Sequence, residues 1–376
     1  MSLEEERRAR MALAAIFASD CPPGYAMQID RQGAEEVYER LRRDEESRWG
    51  RIARTICIDA IEQSTLQGNM RFLIPGDEEW PAELGHLATV EAHDSKSYGV
   101  PLGLWVKGPL RLDQIPPRGV ALVGARAASQ YGNSIASSIA SSLTGDEYGR
   151  CIILSGGAYG IDTAAHYGAI RSGGYSVGIY ANGLDMAYPA GNGDLFEILG
   201  ENHLVISEIA PGVRPTKRAF LARNRLIATL SIATVVVEAA LRSGARNTAS
   251  WAAELGRVIC AVPGSIFSST SIGCHQLIRD GYASLVTDAR EIYALIAEMG
   301  MAPQLPQGEK PHPFDLLDVI PRTVYETLSP RIWKSVDDIA LTTGFTLYEV
   351  TAALLELECC GWVESCSQGW KVARLA

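Results

Sequence analysis

Two apolar segments of this 376-residue chain run straight into glycine-bearing turns that open helices. The first turn reads VGARAASQYG, Val123–Gly132, and the second SGGAYGIDTAAH, Ser155–His166. Glycines at such turns let backbone N–H groups approach an anion, and the helix N-terminus adds a favourable dipole. Gly124, Gly156, Gly157 and Gly160 are placed for phosphate, although the same glycines also suit plain strand-to-helix turns. Neither turn is a GxGxxG followed some 20 residues later by an acid, and neither is a GxxxxGK[ST] loop, so NAD and ATP are poorly supported. A third segment carries charge. VRPTKRAFLARNR, residues 213–225, holds Arg214, Lys217, Arg218, Arg223 and Arg225 around Phe220, and no acid occurs from Ile209 to Val237. Cations tracking a backbone around an aromatic on which bases stack is the chemistry of a single-strand groove. Arg126, at the end of the first strand, would reach the same sheet edge and fork onto phosphate.

Residues that invite an enzymatic reading do not converge. His166 stands alone on a helix, and Asp162 reads as an N-terminal cap. Ser155 lies in LSGG rather than a GxSxG elbow. Asp185 is a turn residue, and Glu208 and Glu238 end strands without an evident partner. No Ser/His/Asp set, carboxylate pair or metal constellation appears, so neither catalysis nor a cofactor is expected.

The elements that must hold these segments follow from periodicity. Strands are expected at 119–124, 151–156, 175–180, 203–208, 234–239 and 258–264, each a near-continuous apolar run as in sheets covered on both faces. Helices are expected at 131–143, 162–172, 191–200, 220–230 and 244–256, with a late helix at 273–280 and a short strand at 283–286. That alternation predicts a Rossmann-like, doubly wound, mostly parallel α/β sheet. Residues 1–75 read as an N-terminal helical (SAM-like) domain. Residues 76–298 form the α/β domain with an irregular connector at 76–118, and the proline-rich 299–313 is a linker. Residues 314–376 have the helix–helix–helix–hairpin outline of a winged helix.

The net charge of −10 argues against a basic coat for nucleic acid. Divided along the chain it is −2 over 1–75, −3 over 76–118, zero over 119–292, −1 over 293–313 and −4 over 314–376. The acidity therefore lies outside the basic segment, and the flanking domains are expected to meet proteins. The third winged-helix segment, TLYEVTAALLELECCG, has no Lys or Arg, leaving Trp362, Trp370 and Lys371 on the wing as candidate contacts. Eight scattered cysteines with no CxxC, a charged N-terminus and no apolar run of about 20 residues predict a reduced, cytoplasmic protein without a membrane segment.

Residues 119–292 resemble the DprA/Smf (DNA-processing protein A) family. The resemblance is carried by six ordered blocks: LVGARAASQYG, LSGGAYGIDTAAHYGAI, NGLDMAYPAGN, SEIAPGVRPTKRAFLARNRLIATLS, VVVEAALRSGARNTASWAAELGRVICAVPGS and GCHQLIRDGYASLV. It implies a non-enzymatic protein that binds single-stranded DNA and dimerises through the Rossmann-like domain. It also implies loading of RecA recombinase in natural transformation. Gly124, Arg126, Gly156, Gly160, Lys217, Arg218, Phe220, Arg223, Asn224, Arg225, Arg242, Ser243 and Gly244 match family positions. Ala125, Tyr159, Asn182 and Ala245 depart from the family pattern; Tyr159 replaces an arginine and is expected to compensate by stacking. Two other readings compete: a phosphoribohydrolase-like nucleotide enzyme, whose acid pair is missing here, and a nucleic-acid sensor in phage defence.

Overall fold

The computed structural model describes residues 2–18, 21–90, 99–297 and 317–373. Its contacts fall into two units, Met1–Pro303 and Gln304–Ala376. The linker expected at 299–313 lies outside the described residues.

Five helices open the first unit: α1 (Leu3–Phe17), α2 (Pro23–Gln32), α3 (Ala34–Arg43), α4 (Arg48–Ala53) and α5 (Ile58–Gln67). A nine-stranded sheet follows, built from β1 (Arg71–Leu73), β2 (Leu104–Lys107), β3 (Gly119–Val123), β4 (Ile152–Ser155), β5 (Ser176–Tyr180), β6 (Leu204–Ser207), β7 (Ala233–Val236), β8 (Val258–Ala261) and β9 (Ser284–Leu285). Its order is β1-β2-β6-β5-β4-β3-β7-β8-β9. Strands β3 to β9 pair in parallel. The expected mostly parallel, doubly wound sheet is therefore present, with the chain reversing its direction of growth between β3 and β7.

Alternation along β3 shows why both faces are covered. Val120 and Leu122 join a core with Ala136, Ile139 and Leu143 of α6 (Gln130–Leu143) and Ile161, Ala165 and Ala169 of α7 (Ile161–Arg171). Ala121 and Val123 point the other way, and share a core with Leu226 and Ile227 of α9 (Lys217–Thr229) and Ala245, Ala249 and Ala252 of α10 (Gly244–Glu254). Helix α8 (Gly193–Asn202) lies between β5 and β6, and α11 (Ile272–Arg279) and α12 (Ala289–Ile296) close the unit. Side-chain caps fix where the helices around the sheet edge begin. Ser129 accepts from Gly132 N at 3.0 Å, Thr216 from Ala219 N at 3.1 Å and Ser243 from Arg246 N at 3.4 Å. Thr216 starts α9 at Lys217, three residues ahead of the expected start at 220.

Two expectations are corrected. The irregular connector expected at 76–118 contributes β2, and the end of the segment read as helical contributes β1; the two pair antiparallel with each other and extend the β6 edge, Val106 lying opposite Ile206. These strand-like pieces, broken by Pro and Gly, are too short to fix their partners, and the pairing of β2 with β6 is set by distant chain. The helical segment 1–75 is not a separate body. Met11, Leu13, Ile16 and Phe17 of α1 share one core with Trp105, Tyr180, Phe196, Leu199 and Val205. The apolar stripe of α1 is buried against the sheet layer, not only against its sister helices.

The second unit comprises α13 (Val319–Thr327), α14 (Val336–Thr343), α15 (Leu347–Cys359) and a hairpin of β10 (Val363–Cys366) and β11 (Gly369–Val372), with an isolated bridge from Lys334 to Trp370. This is the expected winged helix. Val324, Ile339, Val350, Leu354 and Leu357 are its core.

Candidate nucleic-acid interface

A cleft of about 580 Å³ opens at the carboxyl ends of β3 and β7, where the strand order reverses. That crevice is where open α/β sheets bind ligands. Gly124 and Arg126 line it from the turn after β3; Lys217, Phe220, Leu221, Arg223 and Asn224 from α9; Ser243 and Gly244 from the start of α10. Residues 217, 220, 221 and 224 recur at helical spacing, so one face of α9 forms the wall.

Arg126 and Lys217 are exposed. The Arg126 guanidinium lies 4.9 Å from the centre of the Phe220 ring, and the ring of Tyr188, also in the cleft lining, stands 5.7 Å from that of Phe220. A cation resting on an aromatic face remains able to fork onto phosphate, and Phe220 is half-buried. Tyr188, 40% exposed, was not singled out in the sequence; its signal was an aromatic in the turn NGLDMAYP of a matching block. Asn224 is buried and donates to Gly244 O at 3.2 Å and to Asn247 Oδ1 at 3.0 Å. It ties α9 to the start of α10 and so sets the width of the cleft.

The other basic residues of the segment separate sharply. Arg225 is 2% exposed, and its guanidinium makes a bidentate pair with Glu208 at 2.7 and 2.9 Å. It also donates to Gly99 O and Ala222 O. Arg225 is therefore removed from the phosphate-binding set, and Glu208 has the partner the sequence did not reveal. That acid lies one residue before the acid-free run and reaches back across the fold. Arg223 is corrected too. It is 7% exposed, its guanidinium lies beneath Gly156, and it donates to Ile179 O. Burial lowers its pKa and raises that of Asp162, each offset by the other's charge. Arg223 and Asp162 thus sit together at the cleft floor, and Arg223 is removed from the set of exposed phosphate-binding cations. Arg218 is half-buried outside the cleft lining, and Arg214 and Arg242 are exposed outside it.

The second glycine turn is also different from the expectation. Asp162 does not cap α7; Gly160 occupies that position. The Asp162 carboxylate instead turns back and accepts from Gly156 N at 3.1 Å and Ala158 N at 3.3 Å. The anion nest expected at 156–160 is filled by an internal carboxylate. Gly156 is required because a Cβ would stand 1.9 Å from Arg223 Nη1, and Gly160 because its φ of +77° and the carbonyls of Ala125 and Arg126 leave no room for one. Gly157 is buried against the Tyr180 ring. Tyr159 remains 48% exposed, with its hydroxyl against Gly191.

The remaining polar residues are engaged structurally. Glu238 accepts from Ser129 N and Oγ at 2.9 and 2.6 Å and from Thr270 Oγ1 at 3.1 Å. Ser155 donates to Leu122 O. His166 is fully buried with Nδ1 2.8 Å from Ser176 Oγ, and burial pulls its pKa down to about 3. Among the described residues no group of three His, Cys, Asp or Glu could hold a metal, and no helix is long and apolar enough to cross a membrane. On the wing, Lys371 pairs with Glu364 at 2.7 Å and lies over Trp333, Trp362 packs on Tyr325, and Trp370 packs against the core. The three wing candidates are thus committed within their own unit.

The profile of the family described as DNA recombination-mediator protein A matches residues 71–297, and that of the DprA winged helix domain matches residues 309–369. A Mycobacterium tuberculosis protein bearing the name DNA processing protein DprA is 42% identical over 308 residues, 81% of this chain and 77% of its own. Protein Smf of Escherichia coli is 34% identical over 313 residues, 81% of this chain and 78% of its own. The crystal structure of DNA processing protein A from Streptococcus pneumoniae superposes with a TM-score of 0.62 at 30% identity, covering 79% of this chain and 97% of that one. A Helicobacter pylori DNA processing protein A, solved to explain its single-stranded DNA binding mode, superposes with a TM-score of 0.51 at 24% identity over 60% of this chain and 95% of that one.

Proposed function

The chain belongs to the DNA recombination-mediator protein A family, and from that premise we propose that it binds single-stranded DNA along the cleft at the β3–β7 switch point. The observation that carries this reading is the Arg126–Phe220–Tyr188 stack with Lys217 beside it. Two exposed cations hold phosphates, and an aromatic shelf takes bases without reading their identity. The Helicobacter pylori relative, whose structure concerns single-stranded DNA, supports the choice of ligand. The protein acts as a binding protein and not an enzyme. Asp162, Glu238, Ser155 and His166, the groups that could do chemistry, are each tied to backbone or hydroxyl partners. The bound strand is handed to a RecA-type recombinase in the cytoplasm during uptake and recombination of DNA. A homodimer through the Rossmann-like unit presents two clefts; the exposed Ile272, Tyr282 and Leu285 near the β9 edge suit such a contact, whereas Leu277 is core.

The test is fluorescence anisotropy with single- and double-stranded oligonucleotides of one sequence. The native chain is expected to prefer the single strand, and Arg126→Glu/Lys217→Glu to lose that binding. A preference for duplex, or unchanged binding by the variant, overturns the reading. Turnover of nucleotides that disappears in Asp162→Asn or Glu238→Gln would favour an enzyme instead.

A further inference from the structure

We propose that the single-strand path continues beyond Phe220 onto the N-terminal helices, across a basic face formed by Arg48, Arg51 and Arg54. The inference extends the cleft reading and rests on it. It begins from packing. Ala18, at the end of α1, and Phe220 both pack against the small buried cluster of Ala181, Ile209 and Ala219. The neighbouring Phe17 ring lies 5.1 Å from those of Tyr25 and Trp49. The Arg48 guanidinium lies 4.7 Å over Trp49. Packing through Ala18 and its neighbour Phe17 therefore connects the cleft wall to the start of α4.

The charge there is net positive. Residues 40–54 contain six arginines against Asp44, Glu45 and Glu46. Asp44 is turned onto the amides of Glu46 and Ser47 at 3.1 and 3.0 Å, and those bonds hold its pKa low. Arg42 and Arg43 share Glu39. Arg51 and Arg54 are exposed and donate to the carbonyls of Glu46 and Asp44 at 2.9 and 3.3 Å, so among the described residues neither makes a salt bridge. Arg48 on the half-buried Trp49 repeats the motif of Arg126 on Phe220: a guanidinium held on an aromatic face and open to phosphate. Site sizes of single-strand binders reach many nucleotides because backbone-tracking cations accumulate along a strand. Three more cations at the start of α4 supply that continuation.

Oligothymidylates of about 6 and about 20 nucleotides distinguish the two surfaces. In Arg48→Glu/Arg51→Glu/Arg54→Glu the short probe is expected to bind as it does to the native chain. The long probe is expected to lose about tenfold or more, with a salt slope shallower by about two. Unchanged affinity and slope for the long probe overturn the proposal and leave the arginine face to an acidic protein partner. Failure of the native chain to bind even the short probe overturns the cleft reading first, and the extension with it. Photocrosslinking of a 5-iodouracil-substituted long probe to the native chain avoids any question of folding. A crosslinked peptide from residues 44–54 supports the path, and crosslinks confined to the cleft refute it.

Discussion

Arg225 and Glu208 face each other as a bidentate pair, both buried, whereas Arg214 and Lys217 of the same basic segment are exposed. Breaking a buried pair from one side leaves a charge without compensation. Arg225→Ala is therefore expected to cost about 3–5 kcal/mol in urea unfolding, whereas Arg225→Met/Glu208→Leu recovers most of that loss. At temperatures where Arg225→Ala stays folded, its affinity for single strands is expected to be native. A stable variant with lost affinity would return Arg225 to the binding site.

Arg126 and Lys217 are expected to behave in the opposite way, because both are exposed at the cleft. Arg126→Ala and Lys217→Ala should unfold within about 0.5 kcal/mol of the native chain. Each should flatten the dependence of log K on log salt by about 0.7, as expected for one phosphate contact on a single strand. Titrations at several salt concentrations read the slope directly; a slope that does not move removes that residue from the interface.

Phe220 carries the stacking argument. Phe220→Ala is expected to weaken single-strand binding by about 1–3 kcal/mol at every salt concentration, without changing the slope. Phe220→Tyr keeps a π-face and should bind almost as the native chain does. Equal loss in both variants would point to packing against Ala181 and Ile209 rather than to a base platform.

His166 gives the fold a pH dependence of defined sign. It is buried and neutral, with its pKa drawn down to about 3, against an unfolded value of about 6.5. Between those values the unfolded chain binds a proton that the native chain refuses, so stability falls as pH is lowered from about 6.5. The contribution is about 1.4 kcal/mol per pH unit, or about 2 kcal/mol between pH 6.5 and pH 5. It shows as the difference in pH slope between the native chain and His166→Asn, a comparison in which His203, Asp162 and the surface carboxylates largely cancel. Parallel slopes would mean that the imidazole is accessible to protons in the folded state.

The sequence by itself determined the sheet-and-helix alternation of residues 119–292, the winged helix and the position of the cleft. Apolar runs such as Val120–Val123 have to be covered on both faces, and strands in that order place Arg126 and Lys217 at one edge. Only the tertiary structure decided which cations of VRPTKRAFLARNR meet solvent. Helical spacing sets Lys217, Phe220 and Asn224 on one face and Arg225 on another, but the spacing does not say which face is covered. That was settled by Glu208, just past the end of β6, and by the sheet lying beneath α9. The same holds for the second turn, where the amides that suit a phosphate are taken by Asp162. It holds again for β2, whose partner β6 lies some hundred residues away. Periodicity is a local property and survives in the sequence. Charge pairing and edge pairing are long-range, and only the folded chain brings the partners together.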